Sequence, residues 1–96
     1  MLHLVFQTPI ETAVLERFAP GDDVVFLESS VLRLLEKGNM RAVLTPLLAQ
    51  NQLHVLQEDI ELRGIQPEEL IIGLKVIDYP GLVALTVKNP LIQSWT

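Results

Sequence analysis

Serine, histidine and aspartate residues of this chain have the side-chain types of a hydrolytic triad. Ser29 and Ser30 follow an apolar run where a strand gives way to a helix, and Asp78 follows another such run. A hydrolase would use one serine as nucleophile, a histidine as its base and Asp78 to orient that base. His3 and His54, however, lie inside predicted strands, short of the edge where the serines lie. The glycine flanks of a nucleophile elbow are also missing, so we expect Ser30 to be the N-cap of the following helix.

Two acidic residues at predicted strand ends, Glu28 and Asp78, have the types required of an acid–base pair. Neither stands beside a basic cluster or a cofactor motif, which favours solvated turn acids or helix caps. A small α/β enzyme using Glu28, Ser29 and Asp78 is therefore the least favoured functional hypothesis. The two histidines have no cysteine or acid at ligand spacing, and the glycines form neither GxGxxG nor GxxxxGK. We predict no catalytic residue, no metal ligand and no cofactor.

Charge and cysteine content restrict the classes of partner. Twelve acidic residues stand against seven scattered basic residues, giving a net charge of −5, so we expect no direct contact with nucleic acid. The absence of cysteine excludes disulfides and any thiol chemistry by this chain itself. There is no apolar run long enough to span a bilayer, and no basic segment typical of a signal peptide. These features predict a cytoplasmic protein with no membrane contact.

The hydrophobic content indicates burial against a partner. Hydrophobic residues make up 49% of the chain, and five glycines add to them. A typical protein has 45–50% with glycine included. Aromatic residues are only 5%, so the excess is aliphatic. A small domain has little interior in which to hide that surface, although parallel sheets buried on both faces also raise the count.

Apolar runs typical of buried strands alternate with helical patterns along the whole chain. The runs fall at Leu2–Phe6, Val24–Glu28, Gln52–Gln57 and about Lys75–Ile77, and the segment "PLIQSWT" can add a short edge strand. The alternation predicts a single three-layer α/β domain over residues 1–96, with a mostly parallel sheet of four or five strands. A chain of this length can bury enough surface to be stable without disulfides or metal.

The helical segments between the strands carry recognisable end signals. In "PIETAVLERFA", Thr8 is placed to cap a helix that Pro9 begins. The segment "VLRLLEKG" should end at Gly38, and Pro46 should kink the helix of "MRAVLTPLLAQN" or begin a new turn. The segments "EDIELRG" and "YPGLVALTVKN" predict a short helix and the last helix.

The carboxyl-terminal segment "LIQSWT" must either fray or be tied down, because Pro90 ends the last helix. Trp95 is the single tryptophan, and leaving it in water would forgo about 2–3 kcal/mol of burial. It can fold back over its own sheet, or it can pack with Leu91 and Ile92 at a subunit boundary, where tryptophan often acts as an anchor. We predict Leu91, Ile92 and Trp95 as candidate interface residues.

Four segments, in this order, resemble the TusB/DsrH family of small subunits in bacterial sulfur-relay complexes. They are "LH" with "QTP" near the start, "VVFLESSV", "LQEDIELRGI" over Leu56–Ile65, and "IDYPGLVALTVKNPLIQSW" over Ile77–Trp95. The last is the most specific, and the match runs along most of the chain. Members of the family often carry Asp-Gly where this chain has Ser29-Ser30.

The resemblance implies a subunit that stands beside TusC/DsrF-like and TusD/DsrE-like chains in a heterohexamer with two copies of each. In that family the TusD-type subunit carries the cysteine that takes a persulfide from TusA and passes it toward TusE. The sulfur then reaches the 2-position of the wobble uridine in certain tRNAs. TusA- and TusE-like carriers are thus indirect partners of this chain.

One departure from the family bears on function. Some DsrH members carry a cysteine in the first helix, near Leu15 here, where "ETAVLERFA" has none. Only a thiolate sulfur can hold a persulfide. The resemblance therefore implies a non-catalytic docking subunit of a TusBCD-like complex in tRNA thiolation. A DsrEFH-like complex in sulfur oxidation and a stand-alone oligomeric interaction module remain as alternatives.

Overall fold

A five-stranded, all-parallel sheet forms the centre of the protein, whose computed structural model describes all 96 residues. The strands are β1 (Leu2–Val5), β2 (Asp23–Phe26), β3 (Gln52–Leu56), β4 (Lys75–Ile77) and β5 (Ile92–Trp95). They lie in the order β4-β3-β2-β1-β5, and every neighbouring pair is parallel. The predicted α/β class, the strand positions and the edge strand made from "PLIQSWT" are confirmed.

Helical segments connect the strands. They are α1 (Thr12–Leu15), the first 3-10 helix (Glu28–Leu34), α2 (Met40–Leu48), α3 (Gln57–Leu62), the second 3-10 helix (Pro67–Glu69) and α4 (Tyr79–Lys88). Pro46 stands within α2, so that helix runs through the proline instead of starting afresh there. A membrane span would need a longer apolar helix than any in this structure.

The two faces of the sheet are covered unequally. One face carries a cluster of 16 buried hydrophobic residues, to which α1, α2, α3 and the first 3-10 helix all contribute. The opposite face carries a cluster of only four, Leu2, Val25, Leu27 and Leu56. Against that smaller cluster pack Leu82 and Leu85 of α4, which is the single helix on this side. The predicted three layers are present, but the α4 layer is one helix wide.

The expectation that Thr8 caps the first helix is wrong. Helix α1 begins only at Thr12, and Thr8 is exposed and joined to Pro9 by a cis peptide bond. The N-cap position is Glu11, whose backbone is extended and whose N–H donates to Oε1 of Gln7 at 3.0 Å. The chain thus turns before the helix starts, and the side chain of Gln7 takes the part predicted for Thr8.

The expectation that Ser30 is a helix N-cap is also wrong. Leu27 holds that position, and Ser30 is buried within the first 3-10 helix. Its Oγ lies 2.7 Å from the carbonyl oxygen of Val5 and 2.9 Å from that of Leu27, so its single proton is shared between two carbonyl groups at strand ends. The side chain of an N-cap serine would instead accept a hydrogen bond from a helix N–H. The α-helix expected up to Gly38 is replaced by this 3-10 helix and a turn.

Backbone hydrogen bonds to a distant segment explain why the expected α-helix does not form. Beyond the first 3-10 helix the chain pairs with a distant segment: the N–H of Glu36 donates to the carbonyl of Glu69 at 2.8 Å, and that of Ile71 donates to Leu34 at 2.9 Å. Groups engaged across the molecule cannot also form helical bonds four residues away. A tertiary contact therefore overrides the local helical pattern.

Replacing Ser30 with alanine should lower the free energy of unfolding by about 1 kcal/mol, because the buried carbonyl groups of Val5 and Leu27 lose the one hydroxyl proton that they share. Ser29→Ala is the matched control, since Ser29 is exposed and should change stability by less than about 0.5 kcal/mol. Urea denaturation of the two variants measures the difference. Equal stabilities would contradict the structural role assigned to Ser30.

Candidate functional site

Glu28 lies just beyond the carboxyl end of β2 in an unusual backbone conformation. Its φ is 55°, in the left-handed region that few non-glycine residues adopt, and its side chain is exposed. The N–H of Glu28 donates to Oδ2 of Asp59 at 2.6 Å, and Oδ1 of Asp59 lies 3.7 Å from Nη1 of Arg63. Such a conformation costs about 1 kcal/mol or more and persists only where the surroundings fix it. Here a carboxylate on α3 fixes the backbone, while that of Glu28 itself remains in solvent.

The other acids at this edge of the sheet serve as caps for α4. Oδ1 of Asp78 accepts a hydrogen bond from the N–H of Gly81 at 2.9 Å. Oε2 of Glu58 accepts one from the N–H of Tyr79 at 3.4 Å. The interpretation of Asp78 as a helix cap is confirmed. Nothing in the hydrogen-bond pattern joins Asp78 to Glu28 as an acid–base pair.

The serines and histidines are not brought together. Ser30 donates to strand carbonyls, as described above, and Ser29 is exposed. His3 is engaged with Asp22 and Trp95, and Nδ1 of His54 lies 3.1 Å from the carbonyl oxygen of Val24. The expectation that both histidines lie in strands and have hydrogen-bond partners there is confirmed. Neither histidine is therefore placed to act as a base for Ser29 or Ser30.

His3 is the middle of a buried hydrogen-bonded chain. Its Nε2 lies 2.8 Å from Oδ2 of Asp22, and its Nδ1 accepts a hydrogen bond from Nε1 of Trp95 at 3.1 Å. Because the indole can only donate, Nδ1 is the acceptor and Nε2 carries the proton toward Asp22. The imidazole also packs on Phe18, with ring centroids 4.7 Å apart. This chain of contacts ties β5 to the start of β2 across β1.

Asp22 stays ionised in this setting. Burial alone would raise its pKa, but hydrogen bonds from His3, the N–H of Ala19 and the amino group of Met1 outweigh burial and hold the pKa below its usual value. Charge-assisted hydrogen bonds of this kind are stronger than neutral ones. Asp22 therefore acts as an anchor, and its contacts leave no role as a proton donor near neutral pH.

Asp23 makes the corresponding anchor on the opposite side of the sheet. Its Oδ2 accepts hydrogen bonds from Nζ of Lys88 at 3.2 Å and from Nδ2 of Asn89 at 3.1 Å. Burial raises the pKa of Asp23, but these two partners lower it further than burial raises it. Burial lowers the pKa of the neighbouring His54, since its attraction to Asp23 and its bond to Val24 only partly offset the lost hydration.

These two consecutive aspartates hold the carboxyl-terminal unit, residues 79–96, from both sides. Side chains alternate between the faces of a strand, so Asp22 and Asp23 point in opposite directions at the start of β2. Asp22 reaches Trp95 of β5 through His3, and Asp23 reaches the end of α4 through Lys88 and Asn89. The positions of α4 and β5 are thereby fixed relative to the sheet.

The clefts of the surface contain none of the residues predicted to do chemistry. The largest has a volume of about 450 Å³ and lies between the first 3-10 helix and the start of α2, where Ile10, Arg33, Lys37 and Met40 contribute to its walls. A second of about 420 Å³ lies beside α3, lined in part by Gln57 and Gln66. No group of three histidine, aspartate or glutamate side chains is placed to hold a metal ion.

The most distinctive surface is apolar and belongs to α4 and β5. None of the residues of α4 is fully buried, although most of them are apolar. Val83 is 59% exposed and Val87, one turn further, is 82% exposed. Leu91 in the following turn and Ile92 at the start of β5 are 61% and 47% exposed. We call these four residues the α4–β5 surface.

Of the three predicted interface residues, two are on this surface and one is not. Leu91 and Ile92 are exposed, whereas Trp95 is half-buried and packs against the larger core of its own sheet. The sequence interpretation missed Val83 and Val87. A signal was available, because the helix "YPGLVALTVK" is apolar nearly all round, and such a helix is normally buried on every side.

We expect the free energy of unfolding to decrease as the pH falls from about 7 to about 5. The pKa of His54 is lowered in the folded state, so the unfolded chain binds more protons in this range and its population grows. The stability linked to Asp22 and Asp23, whose pKa values are lowered, is present above about pH 4 and is lost only below it.

His54→Gln isolates the histidine contribution, because an amide can still donate to the carbonyl of Val24 and does not titrate. Urea denaturation at several pH values should give a flatter profile between about pH 7 and about pH 5 for this variant than for the unaltered chain. Parallel profiles would show that His54 is not the titrating group.

Known proteins resemble this chain over its whole length. Residues 5–91 match the model of the family described as "DsrH like protein". Protein TusB of Erwinia tasmaniensis is 35% identical over 103 residues, covering 99% of this chain and 100% of that protein. Protein TusB of Escherichia coli K12 is 31% identical over 98 residues, again with 99% of this chain and 100% of the relative covered.

Solved structures share the fold at low identity. A protein of unknown function from Methanobacterium thermoautotrophicum, MTH1491, superposes with a TM-score of 0.78 at 11% identity and covers 98% of this chain and 96% of its own. The ychN protein of Escherichia coli gives 0.77 at 15% identity, with 98% and 97% covered. These likenesses establish the fold alone. The family match and the full-length relatives go further: this chain belongs to the DsrH-like family, which includes the TusB proteins.

Proposed function

We propose that this chain is a non-catalytic docking subunit of a TusBCD-like sulfur-relay complex that serves 2-thiolation of the tRNA wobble uridine. The TusB names of its relatives favour this branch over a DsrEFH-like role in sulfur oxidation. The partners are TusC-like and TusD-like subunits, two copies of each chain forming a heterohexamer in the cytoplasm. TusA-like and TusE-like carriers deliver and receive sulfur through the partner chains.

The observation that carries the proposal is the α4–β5 surface. An isolated domain normally keeps such aliphatic side chains from water, and an exposed apolar patch usually marks a contact with another protein. On this side of the sheet a single helix stands where several elements cover the other face. A partner seated against α4 would complete the outer layer.

The contacts of the carboxyl-terminal unit suit it for docking. Asp23 fixes the end of α4, and the His3 chain fixes β5, so the apolar residues are presented on a preformed surface. Because this surface is already ordered, binding a partner has a smaller entropy cost. In this proposal Trp95 positions β5 from inside the domain, while Leu91 and Ile92 meet the partner.

The sulfur chemistry belongs to a partner chain in this proposal. This chain has no cysteine, and only a thiolate can take up and pass on a persulfide sulfur. The exposed Glu28 and Ser29 cannot accept sulfur, because neither side chain has a thiol.

Val87→Lys tests the docking surface. Val87 is 82% exposed, and lysine suits the end of a helix, so the fold of the isolated chain should be as stable as before. Co-expression with the TusC-like and TusD-like subunits of the same organism, followed by affinity measurement, should show binding weakened by about tenfold or more.

Leu62→Lys is the matched control, because Leu62 is 79% exposed but lies on α3, on the far side of the sheet. It should bind the partner subunits as well as the unaltered chain does. Equal binding by both variants would reject α4 as the docking element. Failure of the unaltered chain to bind those subunits would reject the proposed role itself.

Labelled sulfur distinguishes a docking subunit from a carrier. When the reconstituted complex receives radiolabelled sulfur from a cysteine desulfurase and a TusA-like carrier, a reductant-sensitive label should appear on the TusD-like chain and none on this one. The same complex lacking this chain should accept sulfur poorly. Undiminished relay without this chain would contradict the docking role.

A further inference from the structure

The two edges of the sheet differ in how well they are protected. The β4 edge has three residues, one of which is Lys75, a side chain that commonly blocks further strand pairing. The β5 edge has four residues, Ile92–Trp95, with no charged side chain and with three of the four exposed. An uncharged open edge is a template for another strand. The protein therefore protects one edge and leaves the other available.

The backbone N–H and C=O groups of β5 face β1 at some residues and the open edge of the sheet at the others. The carbonyl of Leu91 accepts from the N–H of Leu2 at 3.0 Å, and that of Trp95 accepts from the N–H of Phe6 at 2.9 Å. Alternation along a strand then directs the N–H and C=O groups of Ile92 and Ser94 away from β1. In agreement, the carbonyl of Ser94 accepts only from the side-chain amide of Gln93, at 3.1 Å. Ile92 and Ser94 are thus the residues whose backbone groups face the open edge, and pairing replaces the side-chain amide of Gln93 at the carbonyl of Ser94.

Charge favours a second copy of the same chain at this edge. The net charge of −5 opposes self-association over most of the surface. Residues 79–96 carry a single charged side chain, Lys88, and it is paired with Asp23. Contact between two copies of β5 brings no like-charged side chains together.

We propose that β5 pairs antiparallel with β5 of a second copy, about a twofold axis through Gln93. In this register each Ile92 lies opposite Ser94 of the other copy, and both residues have their N–H and C=O groups directed at the edge. Each such pair exchanges two hydrogen bonds, as in a regular antiparallel ladder. A twofold contact of this kind uses the same residues on both sides and closes on itself. The two sheets become one continuous sheet.

The pairing is separate from docking to other subunits and stands whether or not the relay role does. Strand pairing uses the backbone of β5 at the sheet edge, whereas docking uses the side chains of the α4–β5 surface, so Ile92 takes part in both contacts through different groups.

Ser94→Pro tests the pairing. Proline removes the N–H that faces the edge and leaves the bonds between β5 and β1 in place, as edge-strand prolines do. Ser94→Val is the matched control, because it keeps that N–H and suits a strand. In sedimentation velocity, the unaltered chain and Ser94→Val should show twice the mass of the 10.8 kDa chain at high concentration, and Ser94→Pro should remain a monomer.

Hydrogen exchange of the unaltered chain gives a second test that needs no variant. The amides of Ile92 and Ser94 should be protected at high concentration and lose protection on dilution. The amide of Gln93, which faces β1, should stay protected at both concentrations. A chain that is monomeric at its highest concentration, a Ser94→Pro dimer, or exchange at Ile92 and Ser94 that is independent of concentration would each overturn the proposal.

Discussion

A parallel sheet has to be covered on both faces, because its strands are apolar on both sides. In this protein that requirement is met in full on one face and barely on the other. Four helical segments and 16 buried residues close the larger core. On the second face α4 alone covers Leu2, Val25, Leu27 and Leu56, and no residue of α4 is itself fully buried. The apolar outer side of α4 therefore stays exposed, because no further element packs on it as several do on the other face.

The same constraint explains why buried charge is concentrated at the start of β2. The carboxyl-terminal unit has little apolar contact to hold it, and two aspartates supply directional contacts in its place. Asp22 secures β5 through His3 and Trp95, and Asp23 secures the end of α4 through Lys88 and Asn89. Hydrogen-bonded partners repay the cost of burying each carboxylate, which is why both carry lowered pKa values. An exposed surface is thereby held in one conformation.

The sequence predicted the sheet well and the ends of the helices poorly. Strands such as the one that contains Val24, Val25 and Phe26 are predicted from continuous apolar runs, a signal that depends only on which residues must be buried. Local preference alone predicts Thr8 and Ser30 as helix caps. Gln7 supplies the contact at α1, and the groups that Ser30 meets, Val5 and Leu27, lie at strand ends, one of them far away in the chain. Local preference is weak, and the tertiary contacts of these residues outweigh it.

The sequence by itself determined the fold class, the order of strands and helices along the chain, and the lack of any thiol, since these follow from residue types and their periodicity. It also indicated that aliphatic surface exceeds what a small domain can bury. Only the tertiary structure decided where that excess lies. Val83 and Val87 belong to the same apolar helix as Leu82 and Leu85, and which of them faces water depends on how α4 rests on the sheet. That orientation is set by contacts between residues distant in sequence, such as Asp23 with Lys88, which no local pattern records.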